Sequence, residues 1–355
     1  MKYLKVVLLA VFSMALMNLA HADSAPQRIT LPNGLTILVQ ENHASPVVAV
    51  RFYVRTGSLY EGKYVGAGIS HLFEHVLWEG TTSMTKKQLN DAVQAIGGQS
   101  NAYTTTNVTA YHITTSSHYF DRALELLSDM IQNPALSPEG VKTEQGIIHH
   151  EMALDEDDPD RELYTLFDNT AFQVSPIRYP TIGYRAQFDA LTRDDILSYF
   201  HNHYTPGNTV LSVAGDVKAA DVFKAAEKEL GNWPARVFAQ PAIATEPRQV
   251  SPRKAVIYKN VQQAHVMMGW HTVRLQSPDL YPLDVMAQIL GGADSSRLVR
   301  ELRDEKNLVT GVSASSDTPD YDAGIFSVNA TLPTKNLAAF QSNVWGQLED
   351  IKKNG

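Results

Sequence analysis

The stretch Ile69-Ser70-His71-Leu72-Phe73-Glu74-His75-Val76-Leu77-Trp78 reads as one short helix stopped by Gly80. Residues four apart share a helix face, so His71 and His75 can grip one ion. Glu74, three after His71, lies at the edge of that face. Leu72, Phe73, Val76 and Leu77 can anchor the helix in a core. Neutral imidazole is a favoured zinc ligand, and a catalytic zinc keeps one coordination position for water. A carboxylate beside that water can take its proton and pass it to a leaving amine. The order H-x-x-E-H inverts the commoner zincin motif. Two histidines on an ordinary surface helix would give the same five letters, so the rest of the chain has to decide.

A catalytic zinc usually takes three protein ligands, so one more has to come from elsewhere. Ser137-Pro138 opens a helix that runs to about Asp155, with the serine as N-cap and proline at the first helical position. It carries Glu144 and Glu151, seven residues and two turns apart on one face. By spacing alone they read as a solvated acidic face, because Asp155, Glu156, Asp157 and Asp158 follow closely. His149 and His150 point away from the Glu151 face and read as surface or supporting residues. The other histidines show no clustered ligand spacing beyond this pair and His201/His203, which argues against metal storage or sensing.

Outward from the motif, Arg28–Leu31, the turn Pro32-Asn33-Gly34 and Leu35–Gln40 read as strand, turn and strand. Val47–Val54 is a third strand. Thr85 with Gln88 makes a capping box for a helix ended by Gly97-Gly98. The Thr- and Tyr-rich run Asn101–Thr115 reads as a strand, and Phe120–Ile131 as an amphipathic helix. Helix 193–201, strand 209–214 and helix 219–230 follow. The proline-punctuated segment 235–253 reads as a linker. Beyond it, strands 255–259 and 265–270, helices 280–290 and 296–306, strands 309–315 and 324–332, and helix 337–351 repeat the order found from Val47 to Ile131. Two similar halves imply duplication. The second lacks a counterpart of residues 134–234 and reads as truncated, the alternative being a genuinely shorter second domain. The expected organisation is a signal peptide 1–22, a zinc-binding domain 23–234, the linker, and a partial homologous domain 254–355.

With 30 Lys plus Arg against 38 Asp plus Glu, the net charge is -8, which argues against a nucleic-acid partner. The chain has no cysteine, so disulfides, thiolate metal sites and cysteine nucleophiles are excluded. Lys2 and Lys5, an apolar run from Val6 to Leu19 and Ala20-His21-Ala22 read as a secretory signal cleaved after Ala22. A periplasmic or secreted protein follows, with no membrane attachment once the signal is removed.

The combined landmarks resemble the pitrilysin/insulinase family of zinc peptidases, which includes the mitochondrial processing peptidase. They are His71, Glu74 and His75, then Gly57-Ser58 with Glu61, Gly80-Thr81, Gly97-Gly98, Asn101-Ala102-Tyr103-Thr104, Tyr204-Thr205-Pro206-Gly207-Asn208 and Gly215-Asp216. The resemblance spans residue 27 to the C-terminus. It implies an α+β fold of duplicated rolls, each a mostly antiparallel sheet with helices packed on it, facing each other like a clam shell around a peptide chamber. It implies one zinc per chain, held by His71, His75 and a glutamate about 76 residues beyond the second histidine, which falls on Glu151. Glu74 takes the place of the catalytic base, and Glu144 that of a supporting catalytic glutamate. Asn101, Ala102, Tyr103 and Thr104 match the sheet edge to which an extended peptide substrate adds. From residue types alone these four are an ordinary strand.

In the family the second half supplies an arginine and, seven residues on, a tyrosine, which bind substrate. Arg303 matches the arginine, but Thr310 stands at the tyrosine place. Losing one transition-state donor costs on the order of 100-fold or more in rate. Some family members are heterodimers with the zinc site on one subunit and the Arg/Tyr pair on the other. This chain therefore reads as a secreted zinc endopeptidase acting on peptides or unfolded segments, either the zinc-bearing subunit of such a pair, a homodimer, or a chain that tolerates Thr310 and works alone. The contrasting reading is a non-catalytic scaffold subunit. Retention of His71, Glu74, His75, Glu144 and Glu151 argues for catalysis.

Overall fold

The computed structural model describes residues 25–236 and 239–354. The signal segment 1–22 lies outside them. In chain order the elements are β1 (Gln27–Thr30), β2 (Thr36–Glu41), β3 (Val47–Val54), α1 (Ile69–Val76), α2 (Lys86–Ala95), β4 (Gln99–Thr104) and β5 (Thr109–Ser116). Then come α3 (Phe120–Gln132), α4 (Pro138–Asp157), α5 (Pro159–Ala171), α6 (Arg193–His203), β6 (Thr209–Gly215) and α7 (Ala219–Leu230). The last are β7 (Ala264–His271), α8 (Leu280–Gly291), β8 (Gly311–Asp317), β9 (Ile325–Leu332) and α9 (Leu337–Asn354). Among the described residues no helix is long and apolar enough to cross a membrane.

Two compact units divide these elements without following chain order. The first takes residues up to Gly57, Ile69–Glu144 and Leu191–Gln240; the second takes Ser58–Gly68, Gln145–Ala190 and Pro241 onward. The first unit has a six-stranded sheet in the order β1-β2-β6-β3-β5-β4, antiparallel except where β2 runs parallel to β6. β3 shows why the sheet has one packed face. Val48, Val50, Phe52 and Val54 are fully buried, whereas Ala49, Arg51 and Tyr53 between them are only half-buried. Helices α1 and α3 lie against β5, and α7 lies against β2.

The second unit has three antiparallel strands in the order β7-β9-β8. Its core gathers Leu290, Leu298, Leu302, Phe326, Val328, Leu332, Phe340 and Val344 from α8, the segment 298–302, the sheet and α9. The strand order β7-β9-β8 repeats β3-β5-β4; α1 and α2 come between the first and second strands of one triplet, and α8 with the helical turn 299–305 between those of the other. The α+β fold with a sheet covered by helices is therefore as expected, and the repeat is visible in topology.

Four local expectations need correction. The run 101–115 is a hairpin of two strands, because the Thr105 hydroxyl accepts from the backbone of Val108 at 3.1 Å and folds the chain back. Residues 255–259 form no strand, since no ladder partner stands beside them among the described residues. The helix expected at 296–306 is a π-helical turn over Val299–Glu305, with the Lys306 amide donating five residues back to Glu301 at 3.0 Å. Helix α5 was not anticipated; its start is written as Asp158-Pro159, the aspartate capping Asp160 at 2.9 Å with proline in the first turn.

Candidate metal centre

Helix α1 is fixed by its apolar side. Ile69, Leu72 and Phe73 are 0% exposed, and each such side chain contributes roughly 1.5–3 kcal/mol of burial. The Phe73 ring packs against Tyr199 and Tyr204, with centroids at 5.2 and 5.1 Å. Tyr111 of β5 donates its hydroxyl to the Phe73 carbonyl at 2.9 Å and lies 2.7 Å from the Tyr204 hydroxyl. Ser70 meets the Tyr199 hydroxyl at 2.7 Å. Gly80 then ends the short turn after α1 at φ 112°, where a Cβ would lie 2.6 Å from the Met84 carbonyl.

With that side pinned, the opposite edge of α1 presents His71, Glu74 and His75. One ligand atom from each falls within 4.8 Å of the other two. The two imidazole rings stand 4.8 Å apart, tilted by 67°. His71 Nε2 is 3.9 Å from a Glu74 carboxylate oxygen. Burial, and then the neighbouring His75, push the His71 imidazole down to about 4, which favours the neutral ring at physiological pH.

Glu144 reaches this group from α4. Its carboxylate lies 2.9 Å from His75 Nδ1, and its other oxygen lies 3.2 Å from Lys86 Nζ. Burial pushes Glu144 upward, but hydrogen bonds with Glu79, His75 and Lys86 outweigh it and hold the carboxyl below its usual range. An ionised Glu144 accepts, so His75 Nδ1 donates and the lone pair of the neutral ring sits on Nε2. Two imidazoles with acidic oxygens beside them form a donor set that fits zinc.

The other expected residues are distributed as follows. Glu151 is half-buried, two turns beyond Glu144 on α4, and belongs to the second unit. His149 pairs with Asp189 at 2.6 Å, and His150 is exposed. Asn101, Ala102, Tyr103 and Thr104 lie on β4, an edge of the first sheet that pairs only with β5 among the described residues. Helix α1 packs beside it. Arg303 sits in the π-helical turn, where Asp294 and Asp304 hold its guanidinium at 2.9 and 2.8 Å. The Thr310 hydroxyl has two acceptors at 3.0 Å for its one proton, the Thr331 carbonyl and the Gln263 side-chain oxygen.

Sequence reasoning did not single out Glu79, Lys86, Tyr111 or Tyr199 as parts of this neighbourhood. Lys86 carried one signal, its place directly after the Thr85 cap. The three others carried none, because their partners lie far off in sequence.

Residues 36–184 match the family described as Insulinase (Peptidase family M16), and residues 190–355 match the one described as Peptidase M16 inactive domain. A Rickettsia bellii protein named "Uncharacterized zinc protease" is 32% identical over 91% of this chain and 78% of its own length. A Bacillus subtilis protein named "Uncharacterized zinc protease YmxG" is 27% identical over 93% of this chain and 79% of its own. The crystal structure of a protease from Helicobacter pylori superposes with a TM-score of 0.86 at 27% identity, covering 92% of this chain and 80% of that one.

Proposed function

From a chain that belongs to the pitrilysin/insulinase family, peptidase family M16, we propose a zinc-dependent endopeptidase that hydrolyses peptides or unfolded protein segments. The convergence of His71, Glu74 and His75 with Glu144 behind His75 carries this reading. His71, His75 and Glu151 would hold one zinc. Bound there, the metal supplies Lewis acidity to the scissile carbonyl and acidifies a water. Glu74 would take a proton from the attacking water as its oxygen bonds to the scissile carbonyl carbon and would pass it to the leaving amine, so one C–O bond forms as one C–N bond breaks. Glu144 keeps His75 in the tautomer that offers Nε2. An extended substrate adds to the free edge of β4 along Asn101–Thr104. Arg303 leaves its present carboxylates to hold substrate.

Export through the N-terminal signal, followed by action in the periplasm or outside the cell, belongs to the same proposal. So does a partner subunit. The Thr310 hydroxyl is spent on Thr331 and Gln263, which supports a substrate-binding donor coming from a second, homologous chain. In the test, the purified protein binds about one zinc per chain, and a chelator abolishes cleavage of an unstructured peptide until zinc is returned. His71→Ala removes both the metal and the cleavage. Cleavage that survives complete removal of metal contradicts the proposal.

A further inference from the structure

Two acidic side chains approach each other behind His75, and one cation lies between them. Glu144 is 5% exposed. Glu79 follows α1 directly, and its carboxyl is raised by burial first and by Glu144 next, with Lys86 opposing. The Lys86 ammonium bonds to Glu79 and lies 3.2 Å from Glu144. The backbone places that lysine: Thr85 caps α2 through a reciprocal capping box with Gln88, and Lys86 is the first residue after the cap. The opposite wall is also shaped for the pair. Gly140, one turn before Glu144 on α4, lies where an added Cβ would come within 3.2 Å of the Glu79 carboxylate. A larger residue there would crowd Glu79.

We propose that Lys86 is a positioning residue that holds Glu144 on His75 Nδ1 beside the second acid, Glu79. Two neighbouring carboxylates repel when both are ionised. Lys86 offsets that repulsion and holds one Glu144 oxygen, so the other stays directed at His75. Without the ammonium, Glu144 turns away from Glu79, and His75 loses its acceptor. Its ring then no longer favours the Nδ1–H tautomer that leaves Nε2 open. The effect on metal affinity rests on the zinc reading above; the effect on the His75 ring does not.

The experiment therefore reads the ring first, in the metal-free protein. Imidazole nitrogen NMR of the full chain should report His75 as the Nδ1–H tautomer. Lys86→Met should shift His75 toward mixed tautomers. Glu79→Gln alone should leave it in place. The double variant Glu79→Gln/Lys86→Met should restore the wild-type signature, because the second charge has gone. Lys86 is half-exposed at a helix start, so the variants should fold, and melting curves check this. Zinc competition with a chromophoric chelator should follow the same pattern: about 10-fold weaker for Lys86→Met and within about 3-fold of wild type for the double variant. An unchanged His75 signature in Lys86→Met overturns the proposal, and so does a shift that the second substitution does not reverse. A wild-type chain with the expected tautomer and no zinc affinity overturns the zinc reading and leaves the clamp standing.

Discussion

Two pairs of neighbouring acids, one in each unit, are treated in opposite ways. In the first unit Glu144 faces Glu79, and hydrogen bonds with Glu79, His75 and Lys86 together keep it ionised against its burial. In the second unit Asp168 on α5 feels Asp317 at the end of β8, and no cation among the described residues pairs with either. Desolvation, with Asp317 second, raises the Asp168 carboxyl to about 7. The difference teaches what each carboxyl is for. On the proposed reading, the charge that orients His75 is kept by Lys86, whereas an acid with no such work is left to hold its proton.

The largest expected effect comes from removing the working charge. Glu144→Ala should weaken zinc binding by about 10–100-fold, as loss of the acceptor behind a ligand histidine generally does. Chelator competition measures it, and an unchanged affinity would erase the distinction between the two pairs. Asp168 should respond in the opposite direction. Its folded value lies above its ordinary one, so the folded state holds the proton more tightly. Its contribution is fully present below about pH 3.8 and is lost as pH rises through about 7. Asp168→Asn should therefore melt higher than wild type at pH 8, by roughly 2 kcal/mol after allowance for partial exposure, with the gap closing toward pH 4. A gap that does not depend on pH would show that Asp168 is not the titrating group. The smallest effect tests the support of the lysine. Thr85→Ala removes a reciprocal cap and should cost about 1 kcal/mol in chemical denaturation.

The same contrast explains what the sequence could disclose. The Thr85 box, the Ser137-Pro138 start and the β3 alternation are written within a few residues, and the structure has each of them. His71, Glu74 and His75 belong to the same class, since one helical turn brings them together. The fold-back at Thr105 was not legible, because β4 and β5 carry the same Thr- and Tyr-rich composition and a short turn between them leaves no break. Strand character at 255–259 failed for the opposite reason: composition favours an extended chain, but a ladder needs a partner. Lys86 and Glu79 were invisible because their role depends on Glu144, which lies 58 residues beyond Lys86. Glu144 itself was marked only through the family resemblance.

The central claim is that this chain has a working zinc peptidase site with Glu74 as its base. Glu74→Gln tests it most directly, because the substitution keeps the shape of the side chain and removes the group that takes the proton. Zinc content and peptide cleavage would be measured on the same preparation. The account predicts zinc bound as in wild type, with turnover lower by about 100-fold or more. Wild-type turnover in a zinc-loaded Glu74→Gln protein would contradict it.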